Sequence, residues 1–292
     1  MNKKFLILIT AIIFSDTLSY AGNFGVGAHT GYGILKYEEK TSALGTNVES
    51  ESRQNVILFG ISGEYSLSKP ENFFAGITTD WAFGLKGRET WREDDSEIQT
   101  NDMEVFGQFY DLRFGYKNTL KNFYYKIYAS GGWDGLHFKR DRFVWRGVSS
   151  EDSVKEDFSL WRTGIGAGAG YKLNQWAIDG RAAYSYYPKG EVKNSSLPQF
   201  TFDTEGTCLD MGIGISREIE KNLKFYIGGS YTLLKLSQSN IMSDGSVRAV
   251  LPSSKTEIII GVVNLTYAFS AILGEWCWKS ELKQRSQFFP IS

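Results

Sequence analysis

The chain has 292 residues, 42% of them hydrophobic and 15% aromatic, with a formal net charge of -1. This balance, with no basic stripe interleaved with stacking aromatics, sets nucleic-acid binding aside. Only two cysteines occur, Cys208 in a predicted strand and Cys277 in a terminal tail, so no disulfide is expected; no metal-ligand spacing exists and no cofactor is implied.

The amino terminus reads as a secretory leader over residues 1–21. It opens with Asn2-Lys3-Lys4, continues with an apolar run from Phe5 to Phe14, and ends at Ser19-Tyr20-Ala21, with small residues at the two positions a signal peptidase inspects. The apolar run is about ten residues, whereas a bilayer-spanning helix needs roughly 20. No later stretch is long enough, so an inner-membrane helical protein is not expected.

From residue 22 the hydrophobic period is two. Over 223–236, Leu223, Phe225, Ile227, Tyr231 and Leu233 fall on one face, and Lys224, Tyr226, Gly228, Ser230 and Thr232 on the other. A strand with two such faces lies between two solvents. Aromatic-rich apolar faces with no helical period to cover them point to lipid as the outer one, as in a transmembrane barrel. The same pattern predicts strands at 23–37, 54–67, 73–90, 104–119, 123–146, 157–173, 175–188, 202–219, 223–236 and 255–269.

Tight turns are expected at Ser68-Lys69-Pro70-Glu71-Asn72, Leu120-Lys121-Asn122, Leu173-Asn174-Gln175 and Glu220-Lys221-Asn222, on the periplasmic side. Longer polar connections at 38–53, 92–103, 148–157, 189–201 and 237–254 would face outward. The fold class is therefore all-β: a single antiparallel up-and-down barrel over 22–269, in the cell outer membrane with outer-membrane lipid as its partner. Residues 270–292, with Trp276, Cys277 and Trp278, lack strand alternation and read as a periplasmic tail without an assigned role.

Alternation places Glu64, Asp80, Asp111, Arg113, Lys126, Asp134, Arg162, Asp179, Arg181, Asp210 and Lys224 inside the barrel. Mixed charge in a narrow lumen is expected to pair across it and fill it, which disfavours an open pore. His29 lies on a glycine-rich inner face with Gly25, Gly27, Gly31 and Gly33, and is expected to be hydrogen-bonded. His137, near the outer end of its strand, shows no obvious partner. Gly164, Gly166, Gly168 and Gly170 recur at every second position, with no Lys or helix following, so they free lumen space and do not cradle phosphate.

In order and spacing the chain resembles the omptins, ten-stranded outer-membrane proteases. The resemblance is carried by Phe73-Phe74-Ala75-Gly76 to Trp81, by Tyr110-Asp111-Leu112-Arg113 leading into Phe123-Tyr124, by Gly170-Tyr171-Lys172 with Trp176 to Tyr184, and by the closing Asn264-Leu265-Thr266-Tyr267-Ala268-Phe269. It implies a cleft at the outer rim, where an acidic pair and an Asp-x-His dyad activate water. Glu93 and Asp95 are the candidates for the pair; Asn194 and Ser196 stand where the dyad belongs, so the base is missing. The resemblance also implies lipopolysaccharide held by basic residues on the outer wall, here Lys139, Arg140, Arg142 and Arg146.

The function expected from these readings is a non-enzymatic barrel whose outer loops bind an extracellular protein or matrix surface. The alternatives are an omptin-like endopeptidase with an atypical site and a narrow channel.

Overall fold

The computed structural model describes residues 22–43, 45–67 and 72–270. The leader, the tail after Ser270, Cys277 and most of the turn at 68–72 lie outside the described residues.

Every regular element described is a strand: β1 (Gly22–Thr41), β2 (Val48–Leu67), β3 (Phe73–Gly84), β4 (Gly87–Glu93), β5 (Ser96–Leu120), β6 (Phe123–Trp145), β7 (Val148–Leu173), β8 (Trp176–Asn194), β9 (Thr201–Glu220), β10 (Leu223–Leu236), β11 (Met242–Ser243), β12 (Arg248–Ala249) and β13 (Ser253–Ser270). Neighbouring strands pair antiparallel, and β1 pairs with both β2 and β13, which closes the sheet and leaves no edge. Both β3 and β4 sit between β2 and β5, so they are two segments of one wall. The break at Leu85–Lys86 is held in register by the Leu85 amide, which donates to the Asn55 carbonyl at 2.7 Å.

Short connections gather at one end, here called the turn end. Lys121 and Asn174 take left-handed backbone there, with φ of 56° and 58°, as two-residue hairpins require. The other end, the rim, carries the long hairpins. β6 has 23 residues; at ~3.3 Å per residue and a tilt of ~40°, it rises about 55–60 Å, roughly twice a hydrocarbon layer.

Two storeys result. In the lower one, large apolar side chains such as Tyr32, Phe59, Ile77, Phe114, Ile127, Ile165, Ile213, Ile227, Ile259 and Leu265 are exposed on the outer wall, forming a continuous belt. The inner face of this storey is polar and glycine-rich. In the upper storey the pattern inverts. A packed apolar core of Leu35, Tyr37, Val56, Met103, Phe138, Phe158, Leu160, Tyr187, Val192 and Phe202 fills the interior, and Ala249 and Leu251 from the longest rim connection join it.

The sequence expectation is corrected in this storey. Residues expected as loops at 38–53, 92–103, 148–157 and 189–201 are largely strand, because β2, β4, β5, β7 and β8 run on beyond the apolar belt. The signal fails there for a physical reason: the outer face meets water, and the inner face carries Ser50, Ser52, Glu89, Asn101 and Glu156, all buried.

Candidate functional site

The lower lumen behaves largely as the alternation predicts. His29 Nε2 lies 2.7 Å from Asp80 Oδ1, and the position beside this pair is Gly60, where a Cβ would collide with both side chains. Lys117 donates to Glu64 at 2.7 Å, Arg162 Nη1 and Nε lie 3.2 Å from Asp111 and Asp134 respectively, and Arg113 pairs with Asp111. Lys224 lies 3.7 Å from Asp179, which also accepts from Ser216 at 2.6 Å. The alternate glycines of β7 receive neighbouring side chains: Lys126 leans over Gly168 and Tyr128 over Gly166.

The upper storey holds a charge cluster that alternation, read only as far as the belt, leaves out. Arg140 of β6 is 3% exposed and faces Glu39 of β1, Glu89 of β4 and Glu156 of β7. Its Nε donates to Glu89 Oε2 at 2.7 Å, its Nη2 reaches Glu89 Oε1 at 3.1 Å and Glu39 Oε2 at 3.3 Å, and its Nη1 pairs with Glu156. Tyr37 donates to Glu39 at 2.5 Å, Asn101 to Glu89 at 2.7 Å, Ser50 to Glu89 at 3.2 Å and Asn194 to Glu156 at 2.8 Å. One guanidinium serves three carboxylates. Burial, only partly offset by Arg140, pushes the Glu39 carboxyl up to about 7.

Arg140 therefore corrects the expectation for the outer wall: its guanidinium points inward, in phase with Leu136 and Phe138, and cannot meet a lipid phosphate. Lys139, Arg142 and Arg146 do point outward, each beside an acid. Lys139 lies 3.2 Å from Asp141, Arg142 lies 3.7 Å from Asp141 and also pairs with Asp102, and Arg146 lies 3.5 Å from Glu93. Lys86 adds a 3.0 Å contact to Asp141, which holds that carboxyl below its ordinary range. His137, expected to lack a partner, is 2.6 Å from Asp157 on the outer wall and stacks on Phe106.

The acidic pair expected at Glu93 and Asp95 is split. Asp94 and Asp95 form the tip of the β4–β5 hairpin, with φ of 46° and 66°. Both line a rim cleft of about 550 Å³ with Lys40, Thr41, Glu49 and Gln238. Glu93 is not among its lining residues and turns to Arg146. Across the barrel, Asn194 is tied into the Arg140 cluster, and its Oδ1 accepts the Ser196 amide at 2.8 Å. The chain's two histidines, His29 and His137, stand in the lower lumen and on the outer wall, away from this cleft. Glu39 has the proton affinity a general base needs, yet at 2% exposure no substrate reaches it.

The signal that could have found the Arg140 cluster is register. Counting by twos from inward apolar residues gives Tyr37 then Glu39, Phe138 then Arg140, and Phe158 then Glu156.

Among solved structures, the outer membrane protease OmpT from Escherichia coli superposes with a TM-score of 0.62 at 11% identity, covering 86% of this chain and 97% of that one. The translocator domain of the autotransporter NalP from Neisseria meningitidis has a TM-score of 0.37 at 14% identity, covering 91% and 96%. Ail, the attachment invasion locus protein of Yersinia pestis, has 0.31 at 16%, covering 85% and 99%. No protein-family model matches the chain. No curated protein matches it. The likeness is one of architecture: the chain has the fold of an omptin-like outer-membrane barrel.

Proposed function

We propose that this chain is a non-enzymatic barrel of the cell outer membrane that presents its rim hairpins for surface binding. The observation that supports this reading best is the filled upper storey. Where a protease of this architecture needs an open cleft and a base, this chain packs Phe138, Phe158, Leu160, Tyr187 and Phe202, and its inward carboxylates are committed to Arg140.

The β6–β7 hairpin supplies a contact surface on the same scaffold. Its two-residue tip, Arg146-Gly147, is flanked by Trp145 and Val148, which are 49% and 71% exposed. Exposed apolar groups at the end of a rigid strand pair suit an extracellular protein partner.

The test uses refolded protein in lipopolysaccharide-containing vesicles, with two readouts. An immobilised mixture of extracellular-matrix proteins should capture the wild type, and the Trp145→Ser/Val148→Ser variant should bind about ten-fold less, the loss of roughly 1.4 kcal/mol. Basic-residue peptides should stay intact. Peptide cleavage that disappears in Glu93→Ala would overturn the reading in favour of an endopeptidase.

A further inference from the structure

The charges of the lower lumen are not evenly distributed along the barrel axis. Near the turn end stand Lys117, Lys126, Arg181 and Lys224 with Glu64 and Asp179, while Lys172 and Glu218 pair with each other at 3.6 Å. Nearer the core stand Asp80, Asp111, Asp134 and Asp210, with Arg113, Arg162 and His29. Pairing is also unequal. Glu64 is taken by Lys117, Asp111 by Arg113 and Arg162, and Asp179 by Lys224.

Lys126 and Arg181 are left over. Neither makes a hydrogen bond or ion pair with any described residue. The charged groups around Lys126 are Glu64, Arg113, Arg181 and Lys117, three cations to one acid. Its ammonium lies 5.8 Å from the Phe74 ring centre, and Lys117 shares that ring at 5.9 Å. A cation in a confined interior costs free energy unless a counter-charge accompanies it.

The register of the strands brings the two cations near each other. Lys126 and Arg181 sit on β6 and β8 and both register with Gly168 of β7. Two strand spacings put their Cα atoms about 10 Å apart, a span that a lysine and an arginine close around one small ion. The Lys126 stem lies over Gly168 and the Arg181 side chain over Gly212, and with no Cβ at either glycine both cations lie along the lumen wall. The hydroxyls of Tyr128 and Tyr226, which lean over Gly166 and Gly214, have no hydrogen-bond partner among the described residues and supply further donors.

We propose that the turn-end lumen is a binding site for a small oxyanion of the phosphate class, held between Lys126, which lies over Gly168, and Arg181, which lies over Gly212. A guanidinium and an ammonium together match a multiply charged tetrahedral oxyanion better than a halide. The apolar core closes the rim end, so the ion enters and leaves by the turn end.

The test is thermal unfolding of refolded full-length protein titrated with inorganic phosphate, against sodium chloride at equal ionic strength. The wild-type midpoint should rise saturably, by about 5–10 °C at a hundred times the dissociation constant, and chloride should not reproduce it. Lys126→Met/Arg181→Met should lose the phosphate response and start from a higher ion-free midpoint, because the repulsion is gone. Arg142→Met, on the outer wall, should respond like wild type.

A wild type without a phosphate-specific rise, or a double variant that keeps one, overturns the site. Should the double variant not fold, phosphorus NMR line broadening of phosphate by wild type and by Lys126→Gln decides the question. Broadening lost in the variant supports the site, and equal or absent broadening removes it.

Discussion

At the scale of single residues, the chemistry of the upper storey is concentrated in Glu39. Three carboxylates around Arg140 cannot all be charged without strain, and Glu39, buried beside Tyr37, Glu89, Glu156 and Arg140, holds its proton up to about 7. In the unfolded chain its carboxyl titrates at the ordinary 4.5. The folded state therefore binds more protons across the interval between the two values. Its contribution to stability is fully present below the unfolded value and is lost as pH rises through the folded one. Urea unfolding in vesicles should show the wild type losing stability relative to Glu39→Gln between pH 5 and 8, since the amide stays neutral throughout. A constant difference between the two proteins over that range would mean that Glu39 is ionised in the folded state at both ends of it.

At the scale of elements, the strands are longer than their apolar pattern. Closure, turn positions, inner and outer faces and the pairing of His29 in the lumen were legible in the sequence, because lipid on one side and a polar lumen on the other enforce alternation there. Above the belt that enforcement ends. Glu39, Ser50, Ser52, Glu89 and Asn101 are inward residues that look like loop residues, so the apolar pattern ends before the walls do and leaves Arg140 without an inward signal. The candidates Glu93 and Asp95 lie on the β4–β5 hairpin, and whether they share a cleft depends on the turn, where left-handed Asp94 and Asp95 swing away from Glu93. The ladders above the belt have a direct consequence for hydrogen exchange. Amides in residues 49–52, 99–103 and 153–156, paired across β2–β4, β4–β5 and β6–β7, should be protected as well as those within the belt. The amides of Gln238, Asn240 and Ile241, outside the ladders, should exchange fast. Rapid exchange throughout the upper segments would show that those hairpins are not standing strands.

At the scale of the whole molecule, the two storeys divide the labour of closing the barrel. The lower lumen is polar and spaced by glycines, so on its own it would admit water and small ions. The upper storey contributes an apolar plug built from the walls themselves, with Leu35, Val56, Met103, Phe138, Phe158, Leu160 and Val192 meeting across the axis and Leu251 closing from the longest connection. Such a plug excludes ions because its apolar lining does not compensate their desolvation and the buried charges beside it are already paired with one another. The Arg140 cluster ties β1, β4, β6 and β7 together within it, so opening a path would also break a buried ion network. Planar bilayers doped with the refolded protein should therefore show no discrete conductance steps at moderate voltage. Steps of uniform size that vanish in protein-free membranes would require the upper core to open, and the binding reading of the rim would then yield to a channel.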